Sequence, residues 1–145
     1  MKVTKKIKEN VIKRLDLLKA NDLFEDQNID KREYKTDFYR CDNIDSDIKL
    51  YVSVKSPQLF VTNAAFLNNT VEIDLNNNGP VIIGTDKILK KQKLYIYSVA
   101  TSIEDNITYT LNVTLQDGPK SKSYSVSLFL DKDETGEIIQ QINFV

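Results

Sequence analysis

Histidine is absent from this 145-residue chain. With it go Ser-His-Asp and Cys-His nucleophilic catalysis, imidazole metal ligation and the usual general base near neutral pH. The single cysteine, Cys41, cannot close an internal disulfide. It stands near Asp42, Asp45 and Asp47, whose charge opposes thiolate formation, so an inert, partly buried thiol is expected. Only four glycines occur, Gly79, Gly84, Gly118 and Gly136, and none opens a phosphate-binding loop. Three arginines against seventeen lysines leave little for bidentate recognition of phosphate or bases. No apolar run approaches the roughly 20 residues of a membrane span. No hydrophobic segment of signal-peptide length follows the basic start, so synthesis in a reducing cytoplasm without a signal peptide is expected.

What is present is balanced in sum and uneven in place. The formal net charge is −1. Residues 1–20 hold seven basic side chains against two acidic ones, a net of +5, and residues 21–50 hold five basic against nine acidic, a net of −4. The sum gives no global field to draw in nucleic acid or an anionic membrane, and neither is expected as a partner. Between Thr4 and Ala20 the residues Ile7, Val11, Leu15 and Leu18 recur at helical spacing, with lysines elsewhere, which predicts one basic amphipathic helix. That stripe either caps the chain's own core or docks on a partner. Residues 23–47 read as an irregular acidic connector carrying Phe24, Tyr34, Phe38 and Tyr39. Residues 1–47 thus form an arm, and residues 48–145 the β domain.

From Ile48 the period changes to two. Leu50, Val52 and Val54 alternate with polar residues, and short apolar runs follow at 59–61, 71–75 and 81–83. Four longer runs at 94–102, 107–116, 122–130 and 137–145 are separated by short, turn-rich linkers, which predicts a β-meander. Seven or eight strands with one apolar face each are best satisfied by two packed sheets. An antiparallel β-sandwich is expected, with a small β-barrel as the alternative.

Few residues offer chemistry. The stretch from Asp131 to Ile138 is similar to the opening of an EF-hand loop, making Asp131, Asp133 and Thr135 a candidate cation site, but Ile142 stands where the bidentate glutamate belongs. A hairpin turn with Gly136 at positive φ accounts for the same residues. Lys87, Lys90, Lys91 and Lys93, near Tyr95 and Tyr97, read as a solvated loop before a strand. No residue set is nominated for catalysis and no cofactor is implied.

Strand-rich, rich in Asn and Lys and free of histidine, residues 48–145 resemble the small β-sandwich accessory proteins of tailed bacteriophage particles and related injection machines. The resemblance implies a structural subunit that decorates or joins other proteins, as a homo-oligomer or hetero-complex, and that is compatible with incorporation in a virion. It also implies anchoring by the N-terminal arm through Ile7, Val11, Leu15 and Leu18. The alternative is a ligand-binding sandwich that recognises carbohydrate or protein through exposed aromatics such as Tyr51, Tyr95 or Tyr97.

Overall fold

The computed structural model describes residues 29–68, 71–75 and 79–145. The expected helix with Ile7, Val11, Leu15 and Leu18 lies outside the described residues, as do Asn76, Asn77 and Asn78. Nine strands follow in order: β1 (Lys31–Tyr39), β2 (Asp47–Ser53), β3 (Leu59–Leu67), β4 (Val71–Ile73), β5 (Val81–Thr85), β6 (Lys93–Ser102), β7 (Ile107–Asp117), β8 (Lys120–Leu130) and β9 (Thr135–Phe144). One short helix, α1 (Asp86–Leu89), joins β5 to β6, with the Thr85 hydroxyl accepting from the Ile88 N–H at its start. Among the described residues, no helix is long and apolar enough to cross a membrane.

The strands form two sheets, one ordered β1-β9-β6-β3-β4 and the other β5-β2-β7-β8. Alternation drives their packing. Ile48 and Leu50 of β2, Tyr109, Leu111, Val113 and Leu115 of β7 and Val126 and Leu130 of β8 face Ala65 of β3, Leu94 and Ile96 of β6 and Ile138, Ile142 and Phe144 of β9. Each fully buried Leu or Ile in this layer contributes about 1.5–3 kcal/mol. Two buried tyrosines keep their hydroxyls satisfied, Tyr109 by donating to Ser98 and Tyr39 by donating to Asp117.

The barrel alternative fails at one seam. β1 and β8 are the edges of their sheets and face each other, but side chains join them where a barrel would have a main-chain ladder. Lys31 Nζ donates to the Phe129 carbonyl at 2.6 Å, and Lys122 Nζ and Tyr124 Oη donate to the Phe38 carbonyl at 3.2 and 2.9 Å. Lysines on an edge also block its use by another strand.

Three expectations need correction. The acidic connector is not irregular throughout, because residues 31–39 form β1, so the sandwich begins well before residue 48. Its sequence hides this: an edge strand with one open side tolerates Lys, Arg, Glu and Asp at most positions and shows no apolar alternation. The sandwich is not wholly antiparallel either, since β1 runs parallel to β9. Nor do the last four strands form a meander. β7 and β8 make a hairpin, but β6 pairs with β9, so residues 103–106 and 131–134 carry the chain between sheets. Linker length suits a hairpin and an inter-sheet arch equally well. What places β9 in the middle is its nearly continuous burial, which leaves neither face for solvent.

Candidate functional site

The densest chemistry gathers at one end of the sandwich, where β1, β5 and β7 finish and β2 and β8 begin. After Tyr39 the chain turns through Arg40 to Ser46, with Asn43 at φ 61°, a left-handed conformation that asparagine tolerates. The fully buried carboxylate of Asp86, first residue of α1, holds this loop. Its oxygens accept the backbone N–H groups of Asp42 at 3.1 Å and Ile44 at 3.2 Å, and that of Asn43 as well. The loop reciprocates, for the Ser46 and Ile44 carbonyls accept the N–H groups of Asp86 and Lys87, each at 2.9 Å.

Asp117, the last residue of β7, lies against Asp86 and is hydrogen-bonded to it. It also accepts the hydroxyls of Ser46 and of Tyr39, the latter at 3.2 Å. Asp42 completes the cluster from the exposed side, and carboxylate oxygens of the three acids lie within 4.8 Å of one another. Lys120 closes it over: its ammonium is 3.4 Å from Asp42 Oδ2, donates to the Arg40 carbonyl at 2.8 Å and sits 4.6 Å from the centre of the Tyr39 ring.

Two buried acids in contact cannot both be ionised cheaply, and their surroundings separate them. Burial disfavours the charged form of Asp86. The hydrogen bonds from Asp117 and from the Asp42, Ile44 and Asn43 backbone outweigh that and hold it below the usual carboxylate range. Burial raises Asp117, and the hydrogen bond and charge of Asp86 push it the same way, against the opposing bonds from Ser46 and Tyr39. The pair therefore ionises unevenly, Asp86 first and Asp117 after it. Burial, then the charge and hydrogen bond of Asp117, raise the Tyr39 phenol far above its ordinary range.

Three carboxylates could in principle contact a divalent cation. Here each is already engaged: Asp86 by main-chain donors, Asp117 by two hydroxyls, Asp42 by Lys120. Glycoside hydrolysis needs carboxyl groups about 5–5.5 Å apart for retention or roughly 6.5–9.5 Å for inversion, with room for substrate between them. Hydrogen-bonded acids leave none. What the arrangement does is clamp the 40–46 loop onto α1 and β7.

Cys41 lies beside this clamp, buried, with its thiol pushed up to about 11 by burial first and then by the charges of Asp86 and Asp117. In native protein at pH 8, a disulfide reagent such as DTNB is expected to label Cys41 at least 100-fold more slowly than in urea-unfolded protein. Comparable rates would show an accessible thiolate.

The candidate cation residues Asp131, Asp133 and Thr135 lie in the turn before β9 and at its first residue. Asp131 Oδ1 accepts the Asn106 N–H at 3.2 Å, and the Thr135 hydroxyl bonds that of Thr101 at 2.7 Å. Asp133 adopts φ 67° in the turn. The positive φ expected at Gly136 therefore falls on Asp133. Gly136 lies within β9, where a Cβ would come within 3.1 Å of Leu128 and Leu130 and 3.3 Å of Tyr109, so close packing is its reason. Tyr95 and Tyr97 are buried, which rules them out as open stacking platforms, while Tyr51 remains partly exposed. Asp42 was visible in the sequence as part of an acidic run. Asp86 and Asp117 were not, since one opens α1, the other ends β7, and only the topology brings them together. Comparison of the chain with protein-family models, with curated proteins and with solved structures finds no match.

Proposed function

We propose that the chain is a non-enzymatic structural or assembly protein, an accessory, decoration or connector subunit of a larger particle such as a phage virion. One observation carries this reading. The Asp86 clamp fixes two segments that each present a large apolar side chain to solvent, Ile44 at 48% exposure on the loop and Ile88 at 64% on α1. Burying a carboxylate to hold an apolar-tipped end rigid favours contact with another protein, because a preordered surface loses less entropy on binding. The acids that might run a reaction are occupied in making that clamp.

The test compares full-length protein with the double variant Ile44→Asp, Ile88→Asp. Sedimentation velocity from about 1 to 100 μM, and retention of particle subunits from the host system, should show association in the parent and its loss in the variant. A parent monomeric throughout, with both proteins retaining the same subunits equally, defeats the proposal. So would turnover on ester, glycoside or phosphate substrates that Asp86→Asn abolishes.

A second reading, carbohydrate recognition, is favoured by the outer face of the β5-β2-β7-β8 sheet. There Thr110 and Ser127, Asn112 and Ser125, and Thr114 and Ser123 form a ladder of side-chain hydrogen bonds 2.8–3.0 Å long, with Tyr51 directly opposite Thr114. A hydroxyl-rich face that also carries the exposed Phe129 ring suits a sugar. Glycan binding lost in Tyr51→Ala would select this reading.

A further inference from the structure

We infer, resting on the assembly reading, that the partner at the end held by Asp86 is a second copy of the chain, docked about a two-fold axis with the 40–46 loop of each copy against α1 of the other. Two rows of side chains make this surface. The Ser46 and Ile44 carbonyls accept the Asp86 and Lys87 N–H groups at 2.9 Å, so loop and helix lie side by side. Asp86 and Leu89 are buried three residues apart on one side of α1, which turns Lys87 and Ile88, and Lys90 beyond them, toward solvent. On the loop Asp42, Asn43, Ile44 and Asp45 are all exposed, as is Asp47 where β2 begins opposite Thr85.

Charge divides between the rows. The loop row carries Asp45 and Asp47, and the helix row Lys87, Lys90 and Lys91. Among the described residues, none of these five side chains forms an ion pair within the chain, although the two rows are bonded through their backbones. Asp42 differs, being engaged by Lys120. Each row also carries one large apolar side chain, Ile44 at 48% exposure and Ile88 at 64%.

That layout selects the partner. A patch of one sign would repel its own copy, but an acidic row beside a basic row is complementary to itself. A two-fold axis lying in the plane of contact, along the seam between the rows, sets each acidic row over the other copy's basic row. The same rotation lays Ile44 of each copy over α1 of the other, beside Ile88, and removes both from water. Overall charge is no obstacle, since a net of −1 gives two copies little mutual repulsion. Ion pairs at the rim add little affinity, so they fix the orientation while the isoleucines supply the attraction. The main-chain bonds to Asp86 hold the loop in place before contact, which lowers the cost of docking. Two isoleucines per copy place the contact in the small class, under about 1,200 Å², where association is reversible.

The experiment uses the full chain in three forms: the parent, an acid-reversed variant (Asp45→Lys, Asp47→Lys) and a base-reversed variant (Lys87→Glu, Lys90→Glu). All four positions are exposed. Sedimentation velocity from about 1 to 300 μM at low salt should show the parent exchanging between monomer and dimer, and each variant associating about 10-fold more weakly or less. An equimolar mixture of the two variants should return to within about threefold of the parent, because one presents two basic rows and the other two acidic rows. Salt at about 0.5 M should weaken parent and mixture alike. The single reversals Asp45→Lys and Lys87→Glu give the same comparison if circular dichroism shows a double variant misfolded. A parent monomeric throughout, variants that dimerise as tightly as the parent, or a mixture no tighter than its components would overturn the dimer. A monomeric parent whose particle subunits are still lost in Ile44→Asp, Ile88→Asp overturns the dimer and leaves the assembly reading standing.

Discussion

Asp86→Asn is expected to destabilise the fold by about 3 kcal/mol, while Asp117→Asn costs less, about 1 kcal/mol. The asymmetry follows from the different partners of the two acids. Asp86 is the ionised partner, and both its oxygens accept main-chain N–H groups from the 42–44 segment. An amide there turns a donor toward those donors and removes the charge that strengthens their bonds. At Asp117 an amide N–H₂ can donate to Asp86 and its oxygen still accepts from Ser46, so the Tyr39 hydroxyl alone loses its acceptor. The two acids also give opposite pH dependences. Asp86, with its folded value lowered, contributes stability that is present above the unfolded value of about 4 and is lost as pH falls through the folded value. Asp117, with its folded value raised, contributes stability that is complete below about 4 and is lost as pH rises through its folded value. The parent should therefore be most stable between the two folded values and weaken as pH rises through that of Asp117. Asp117→Asn removes that weakening. Urea unfolding from pH 4 to 8 on the three proteins reads this directly, and a parent with no decline, or equal losses in the two variants, would show that the acids do not ionise unevenly.

The strands were legible where burial is one-sided and invisible where it is not. β7 declares itself because Tyr109, Leu111, Val113 and Leu115 are buried while Thr110, Asn112 and Thr114 face out. β1 has no such signal, since Lys31 and Lys35 use their side chains to reach across the seam to β8, and a polar residue there is a structural element that no hydrophobic pattern reports. Pairing was less legible than strand content. The partner of β6 is decided by which later strand is apolar on both faces, and Gln140 and Gln141 in β9 disguise it. Gln140 is buried because its amide bonds the Lys35 carbonyl and the Asp37 carboxylate of β1. These bonds satisfy its Nε2 donors while Oε1 is left without a partner, and they exist only in the folded arrangement. The clamp was illegible for the same reason. Its three acids are separated by 44 and 31 residues in sequence, and no local spacing relates Asp42, Asp86 and Asp117.

Phe66→Ala is expected to cost about 3–5 kcal/mol, and Phe60→Ala less than about 0.5 kcal/mol. Both side chains leave the same strand on the same face, six residues apart, and have the same chemistry, so propensity and unfolded-state effects nearly cancel in the comparison. What differs is burial: Phe60 stands 72% exposed opposite Thr101, whereas Phe66 is fully enclosed opposite Tyr95 and Glu72. Truncating an exposed ring forfeits little apolar burial. Truncating an enclosed one loses the transfer energy of the ring and leaves a cavity whose walls, Tyr95 among them, relax only in part. Chemical unfolding with unchanged m-values would report both losses as stability changes in the same transition. Equal small effects would mean that the outer face is open to water in solution and that Phe66 gains nothing from its surroundings. Equal large effects would mean that Phe60 is enclosed in solution as well. A large loss at Phe66 alone makes the cluster of Phe66, Tyr95, Tyr97 and Ile139 comparable in weight to a side chain of the sandwich core such as Leu111.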